Sequence, residues 1–369
     1  MNRSQRLISL DVFRGIAIAA MILVNHPGSW DNVYPVLLHA KWHGCTPTDL
    51  VFPCFLFIVG VSLSFSLKKY QDKAKPYYPI LRRALIIFLL GLLLNASSLI
   101  FSWLFQNIEP DFSKLRLMGV LQRISLTYLF ASLIILHTSK KSRAIATLAI
   151  LLGYWISLAL LGDFSVENNF AAKVDRILLT SDRLYLSGPY DPEGLFSSIS
   201  AIATVLIGHF TGEWLQEKPL KTDTSMTMVL AGLSCLLVGF AWDILFPINK
   251  ALWTSSYVIL TAGWALLLFA VCFETIEVRR WRKWGKPFEI MGLNAIFVFV
   301  ASGLVTRILY KTSVSASEET SSTYTWLYDN LFRSWAGDLN GSLFFAVAIV
   351  VFWWGILYLL YQKRWFLKV

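Results

Sequence analysis

The sequence predicts an all-α, polytopic membrane protein with about ten transmembrane helices in a single domain. Of its 369 residues, 56% are hydrophobic and 15% are charged, with a mean hydropathy of +0.57. Soluble domains are about 45–50% apolar and about 25% charged. The apolar residues form blocks of about 20, the helix length that crosses a hydrocarbon core of about 30 Å. Lys and Arg are concentrated in every second connection between these blocks.

Ten apolar segments are predicted to span the membrane. They are residues 9–25, 47–67, 84–104, 117–137, 144–162, 194–215, 226–246, 252–273, 288–310 and 342–361. The first is interpreted as a retained helix rather than a signal peptide, because Asp11 and Arg14 interrupt its onset and no small-residue cleavage pattern follows. No linker or repeat divides the chain, so residues 1–369 are expected to form one transmembrane domain.

The positive charges predict the orientation of the bundle. Basic clusters recur on the side of both chain ends, at residues 68–83, 140–143, 279–286 and 363–368. Because Lys and Arg mark cytoplasmic loops, both termini are expected in the cytoplasm. The longer loops are then expected on the outer side, and they are 26–46, 163–193 and 311–341. The distribution of these basic residues among the loops accounts for the net charge of +10. The charge therefore gives no support to nucleic-acid binding.

Polar residues mark both ends of the first span. Asp11 and Arg14 lie three residues apart near its start and share a helix face. They form either an ion pair or a site at which Arg14 binds an anionic ligand. Asn25 lies at the other end, just before Pro27, which stops the helix. The Asn25 amide is either a cap of the terminus or a group that orients a substrate or an oxyanion.

The stretch "HAKWHGCTPTDLVFP", residues 39–53, gathers polar side chains before the second span. His39 and His43 are one turn apart if this segment is helical. Three interpretations stay open: a shared metal, interfacial polar residues, or proton transfer, for which imidazole is suited. Asp49 is suited to cap the next helix. Two histidines without a carboxylate at ligand spacing are weak support for a metal, and the four cysteines show no paired pattern.

Further polar side chains lie near the ends of later spans. Arg123 falls early in the fourth span, and Asp191 and Glu193 occur in "YDPEG". Asn249, Lys250 and Trp253 lie together in "FPINKALWTSSYV", and Asn294 borders a later span. Ionisable groups at membrane depth are costly and therefore mark candidate functional positions. Together these groups predict a polar cavity through the bundle. The residues alone leave both a transporter and a membrane-embedded transferase open.

The sequence resembles the transmembrane N-acetyltransferase family typified by lysosomal heparan-α-glucosaminide N-acetyltransferase, and especially its bacterial relatives that act on glucosamine. The resemblance rests on five stretches in the expected order: "SLDVFRGIAIAAMILVN", "HAKWHGCTPTDLVFPCFLFIVG", "LRLMGVLQRISLTY", "PYDPEGLFSSI" and "FPINKALWTSSYV". The chain departs from the family pattern by lacking the large luminal domain of the lysosomal enzyme and by having His43 where the family has Asn.

The resemblance implies a multi-pass enzyme of the bacterial inner membrane. It would move acetyl from cytosolic acetyl-CoA to the amino group of glucosamine, or of a terminal glucosamine residue, on the periplasmic side. The family's active-site His and its important Asn fall on His39 and Asn25. His39 would receive the proton of the amine, while Asn25 would orient the amine or donate to the oxyanion.

The basic inner face and the polar groups near the span ends suggest two sets of binding residues. Acetyl-CoA is expected to contact Arg14, Lys68, Lys69, Arg82 and Arg83 through its phosphates, and Arg123 along the pore. The amino sugar is expected to contact Trp42, Asp49, Asp191, Glu193, Asn249 and Asn294.

The expected partners are acetyl-CoA as cosubstrate, a small amino sugar, the lipid bilayer and a second copy of the chain in a homodimer, with no metal and no nucleic acid. Direct transfer is favoured over an acyl-enzyme on His39 or Cys45. Two other functions stay open, an O-acetyltransferase of envelope polysaccharide and an amino-sugar permease.

Overall fold

The computed structural model describes residues 7–70, 74–315 and 320–367. Long helices dominate these ranges. The helices are α1 Ile8–Asn25, α2 Val51–Leu67, α3 Tyr77–Gln106, α4 Val120–His137, α5 Lys140–Leu161, α6 Phe170–Leu179, α7 Ser197–Gln216, α8 Thr222–Asp243, α9 Ser255–Phe273, α10 Lys286–Leu293, α11 Ala295–Lys311, α12 Thr323–Tyr328, α13 Ser334–Ala336 and α14 Asp338–Gln362. Two short antiparallel strands, β1 Ser313–Ser315 and β2 Thr320–Ser322, follow α11.

The number of helices that can cross a membrane is close to the prediction. Among the described residues, eight helices are long and apolar enough, namely α1, α2, α3, α4, α5, α8, α9 and α14. A ninth candidate is the pair α10 and α11, which meet at a bend of 78°. These nine segments coincide with nine of the ten predicted spans. The predicted fold class is therefore confirmed, while the number of spans and the side of each terminus stay predictions.

The remaining predicted span, 194–215, is α7, which is helical but less apolar than the others. It packs against α2, α4, α5 and α9, and its buried residues include Ser200, Thr204 and His209. A helix that contacts protein rather than lipid on most of its surface needs fewer apolar side chains. The central position of α7 therefore explains its composition.

Glycines bring α2 and α7 into close contact. A Cβ atom at Gly60 of α2 would lie 1.9 Å from the carbonyl oxygen of Val205, and one at Gly208 of α7 would lie 2.1 Å from that of Phe57. Small residues at a helix interface allow such an approach, which compensates in membranes for the weak hydrophobic drive between helices. This close packing fixes the position of α2, the helix that directly follows the loop carrying His39.

The bundle has two ends that matter for function. The Arg14 end is the one at which α1 begins and α2 ends, and the joint between α10 and α11 packs there against Asp11 and Gly15. The His39 end is the one at which α1 ends and α2 begins. Loop 163–193, which includes α6, lies at the His39 end, because Trp42 donates a hydrogen bond to the carbonyl of Phe164.

Candidate active site

The imidazole of His39 contacts a buried carboxylate. Its Nδ1 lies 2.7 Å from Oδ1 of Asp49, whose side chain is 1% exposed. Because a carboxylate only accepts hydrogen bonds, Nδ1 carries the proton in this pair. Nε2 of His39 therefore keeps its lone pair, as a general base requires. The imidazole is 45% exposed, so a substrate can reach Nε2 from the outside of the bundle.

The carboxylate of Asp49 is fixed by the turn that precedes α2. Thr46 and Asp49 form a capping box around the 3₁₀ turn Pro47–Leu50, with a proline at its first position. Oδ2 of Asp49 accepts the backbone N–H groups of Ala40 and Thr46, each at 3.0 Å. The capping role that the sequence suggests for Asp49 thus coexists with its contact to His39.

Lys250 completes this cluster from the loop between α8 and α9. Its Nζ lies 3.0 Å from Nδ1 and 3.2 Å from Nε2 of His39, and 3.5 Å from Oδ1 of Asp49. Burial lowers the pKa of the Lys250 ammonium, although the charges of Asp49 and Glu193 act in the opposite direction. The sequence placed Lys250 among the polar groups at the span ends that predict a polar cavity, but it assigned Lys250 no role beside His39.

Asn249, a predicted sugar contact, shapes the loop that carries Lys250. Its Oδ1 accepts the backbone N–H of Leu252 at 2.8 Å, and its Nδ2 lies 3.4 Å from Nδ1 of His43. The side chain of Trp253 in this loop is buried. Its backbone has a φ of 51°, in the left-handed region that bulky residues rarely adopt. The backbone of the loop is therefore held in one conformation by its own side chains.

Trp42, another predicted sugar contact, joins the His39 loop to loop 163–193. Its Nε1 donates to the carbonyl of Phe164 at 2.7 Å, and its ring meets the ring of Tyr190 edge to face at 4.8 Å between centroids. Burial lowers the pKa of the adjacent His43 imidazole. This environment keeps His43 neutral in the neighbourhood of His39.

Asp191 and Glu193 both bind Arg116, a residue that sequence reasoning missed. The guanidinium contacts both oxygens of Asp191, at 2.8 and 2.5 Å, and Oε2 of Glu193 at 2.7 Å. The Asp191 side chain is fully buried and also accepts the backbone N–H of Tyr185 at 3.1 Å. Asp191 thereby anchors the loop, whereas Glu193 is 12% exposed and retains access to a ligand.

The charge of Glu193 is maintained by its neighbours. Burial alone raises the pKa of its carboxyl, but the positive charges of Arg116, Arg123 and Lys250 hold that pKa below its usual range. Glu193 is therefore ionised and lies within electrostatic range of Lys250. The two residues link loop 163–193 to the His39 cluster.

Arg123, a predicted cofactor contact, lies buried at the His39 end. Its guanidinium donates to the hydroxyls of Ser197 and Ser198 and to the carbonyl of Gly194, and it lies 4.8 Å from the ring centroid of Trp253. Its Nη1 has no hydrogen-bond partner among the described residues. Arg123 thus stands at the opposite end from Arg14.

Asn25 and Asn294 lie at different ends. Asn25 is the last residue of α1, exposed at the His39 end, where α1 contacts the Pro47–Leu50 turn. Asn294 lies at the Arg14 end, in the joint between α10 and α11. Its Nδ2 donates to the carbonyl of Trp365 at 3.2 Å, and its Oδ1 accepts the N–H of Leu367 at 2.8 Å. Asn294 therefore holds the segment after α14 rather than facing the His39 cluster.

A cavity of about 490 Å³ opens at the Arg14 end. Arg14, Ser62, Arg83 and Tyr128 are among its lining residues, and Phe366 and Leu367 close one wall. Arg14 is paired with Asp11 and with Ser62, at 2.8 and 2.7 Å. The ion pair that the sequence suggested is therefore present, while binding of an anionic ligand by Arg14 stays a prediction.

Arg83 is shared with a second cavity of about 320 Å³, which Tyr70 and Arg82 also line. Its guanidinium lies 5.0 Å from the ring centroid of Tyr128, and its buried Nε has no hydrogen-bond partner among residues 7–70, 74–315 and 320–367. Lys68 and Lys69 are exposed in the turn that ends at Tyr70. These basic groups make the Arg14 end suited to an anionic ligand.

A small apolar void, the throat, shares Phe55, Ile124, Ala295 and Ile296 with the larger cavity. The throat has a volume of only about 10 Å³, and its lining residues are Ile18, Met21, Phe55, Val120, Leu121, Ile124, Ala295, Ile296 and Phe299. On α1, the residues from Arg14 through Ile18 and Met21 to Asn25 follow one face at helical spacing. At 1.5 Å per residue, this face connects the two ends over about 16 Å.

A metal centre has no candidate in the described part of the chain. No group of three or more His, Cys, Asp or Glu side chains lies together there. The cysteines among these residues are free thiols, and burial raises the pKa of Cys45 to about 12.

Comparison with known proteins identifies relatives of this arrangement. Residues 6–239 match the family model described as heparan-alpha-glucosaminide N-acetyltransferase, catalytic. The human heparan-alpha-glucosaminide N-acetyltransferase is 27% identical over 427 residues, covering 99% of this chain and 60% of the relative. The mouse protein of the same name is 25% identical over 432 residues, covering 100% of this chain and 61% of the relative. The chain thus spans about three fifths of the length of these relatives.

Proposed function

The chain belongs to the family defined by the catalytic region of heparan-alpha-glucosaminide N-acetyltransferase, and we propose that it transfers acetyl from acetyl-CoA to an amino sugar across a membrane. The acceptor is the amine of glucosamine or of a terminal glucosamine residue. The observation that carries the proposal is that a basic cavity lies at one end of α1 and a His–Asp pair lies at the other.

The donor enters at the Arg14 end. Acetyl-CoA carries phosphate groups, which Arg binds by charge-assisted, bidentate hydrogen bonds. The unpartnered Nε of Arg83, together with Arg14 and Arg82 along the two cavities, supports this binding site. By the positive-inside rule this end faces the cytoplasm, where the family's donor is available. The His39 end then faces the periplasm of a bacterial inner membrane.

Replacing Arg83 with glutamine is expected to raise the Kd of acetyl-CoA about 10- to 100-fold, the effect of losing one charged hydrogen bond. Isothermal titration with the purified protein measures this change. Arg282→Gln is the matched control, because Arg282 is exposed outside both cavities. Equal Kd values for the two variants would contradict the donor site.

The apolar throat accommodates the thioester arm. In the structure it is narrow, so the arm must part Ile18, Met21 and Phe299 as it moves towards Asn25. A chain without charge can cross such a lining at low cost, whereas the phosphates remain in the basic cavity. The phosphates of the donor would thus be bound about 16 Å along α1 from the place where its acetyl group reacts.

At the His39 end, the acceptor amine loses a proton to Nε2 of His39 and its nitrogen attacks the thioester carbonyl carbon. The tetrahedral intermediate collapses with cleavage of the carbon–sulfur bond, which forms the amide and releases CoA as a thiolate. The thiolate takes up a proton from water at the Arg14 end, so the proton of the amine stays on His39. Asp49 stabilises the imidazolium through Nδ1. Asn25 supplies an amide N–H for the oxyanion.

We favour direct transfer over an acyl-enzyme on Cys45. The Sγ of Cys45 lies 3.6 Å from the carbonyl oxygen of Thr46, and burial raises the pKa of its thiol to about 12. A thiol with so little thiolate is a poor nucleophile. Transfer through a ternary complex needs only that donor and amine are bound together.

The experiment that tests this function is acetylation of a panel of amino sugars by the purified protein with radiolabelled acetyl-CoA. Glucosamine and a glucosamine-terminated disaccharide are expected to yield amide products. Ester products would favour the O-acetyltransferase of envelope polysaccharide. Uptake of amino sugar into vesicles without acetyl-CoA, with no acetylated product, would favour the permease.

A further inference from the structure

Each turnover of the proposed reaction leaves a proton on the active-site base. Nδ1 of His39 is already bonded to Asp49, so the proton from the amine resides on Nε2. The base has to pass this proton on before it can act again. A second group near Nε2 that accepts a proton would therefore complete the site.

Lys250 is the side chain in that position. Its Nζ lies 3.2 Å from Nε2, within reach of a hydrogen bond. The shorter contact of 3.0 Å to Nδ1 is not available for proton exchange, because Nδ1–H donates to Asp49. Nε2 is therefore the atom of the ring with which the Lys250 amine exchanges protons.

The loop of Lys250 is constructed to hold this contact. Asn249 closes the loop with two hydrogen bonds. Its side-chain Oδ1 accepts the backbone N–H of Leu252, and its backbone N–H donates to the hydroxyl of Thr254 at 3.0 Å. The buried indole of Trp253 donates to Thr204 at 3.2 Å, which ties the loop to α7. A strained backbone conformation such as that of Trp253 costs free energy, and such conformations cluster at functional sites. This loop is therefore expected to do more than connect α8 to α9.

The groups around Lys250 determine its charge. Asp49 and His39 lie on the side of the α2 turn, Glu193 on loop 163–193, and Cys45 on the segment between. Two carboxylates favour the ammonium, but burial outweighs them and lowers the pKa of Lys250. The amine is thus neutral in a larger fraction of molecules than an exposed lysine, and its side chain, 18% exposed, retains contact with water.

We propose that Lys250 is the second proton carrier of the active site. This inference rests on the proposed acetyl transfer. The neutral amine of Lys250 takes the proton that Nε2 of His39 has removed from the acceptor amine, which regenerates the neutral imidazole. The resulting ammonium releases the proton to water at the His39 end, so one lysine amine is restored in each cycle.

The test compares Lys250→Arg with Lys250→Met in the full-length purified protein. Arginine keeps the positive charge but does not give up its proton, so both variants are expected to lose about 100-fold in kcat. The Kd of acetyl-CoA and the melting temperature are expected to stay at the wild-type values. The kcat of the wild type is expected to rise with pH as Lys250 becomes neutral, and this dependence is expected to vanish in Lys250→Met.

Chemical rescue provides a second measurement. In Lys250→Ala, added trimethylamine is expected to restore part of the lost kcat in proportion to its neutral fraction, and a tertiary amine yields no stable acetyl product. A Lys250→Arg variant with near wild-type kcat would overturn the proposal, since charge alone would then suffice. A wild type that acetylates no amino sugar would instead refute the proposed function.

Discussion

Replacing His39 with alanine is expected to lower kcat for amino-sugar acetylation by about 10²- to 10⁴-fold, the usual contribution of a general base. The amine then has no imidazole lone pair to take its proton at the site of attack. Binding of acetyl-CoA at the distant Arg14 end is expected to be unchanged. Steady-state rates with labelled donor, together with a donor titration, separate these two effects.

His43→Ala is the matched control for this variant. His43 lies four residues away in the same loop, but its contact is with the amide of Asn249 at 3.4 Å rather than with a carboxylate. A change of a few-fold in kcat is expected. Wild-type activity of a folded His39→Ala variant, or equal losses in the two variants, would remove His39 from the assigned role.

Replacing Asp49 with asparagine is expected to lower kcat by about 100-fold or more, because the amide no longer fixes the tautomer with its free lone pair on Nε2. The buried carboxylate also stabilises the imidazolium once the proton has moved, and a neutral amide does so less. The measurement is the steady-state kcat of the variant and of the wild type with labelled donor.

Thr46→Ala distinguishes catalysis from folding. It removes the Thr46 hydroxyl, which lies 2.7 Å from the carbonyl oxygen of Leu38 and 3.1 Å from Oδ2 of Asp49, yet leaves Oδ1 on His39. A loss of about 1 kcal/mol in stability is expected from the weakened capping box, with kcat nearly unchanged. If Thr46→Ala and Asp49→Asn reduced kcat equally, Asp49 would act only by holding the turn.

The bundle itself could be predicted because spans of about 20 apolar residues have few alternatives in a membrane. Hydropathy identifies a spanning helix least clearly at α7. This helix contacts other helices on most sides, so it needs fewer apolar side chains. The joint between α10 and α11 was predicted as one continuous span, 288–310. The structure instead has a bend of 78° at Asn294, whose side chain bonds to Trp365 and Leu367, residues far along the chain.

The candidate site could be predicted only in part. His39, Asn25 and Asp49 stand out by local pattern and by the family resemblance. Their geometry comes from a 3₁₀ turn that no periodicity indicates. Lys250 lies 211 positions from His39, and Arg116 lies 75 from Asp191, so neither contact leaves a local signal.

The narrow, wholly apolar throat has a consequence for the membrane as a permeability barrier. Apolar constrictions of this width exclude water, and without a water chain neither protons nor small ions can follow the route. A membrane potential of 100 mV is worth about 2.3 kcal/mol per charge. An enzyme open from side to side would dissipate that gradient between turnovers. Ile18, Met21 and Phe299 line a void of only about 10 Å³, room for about one water molecule, so this part of the bundle holds no chain of waters along which protons could cross.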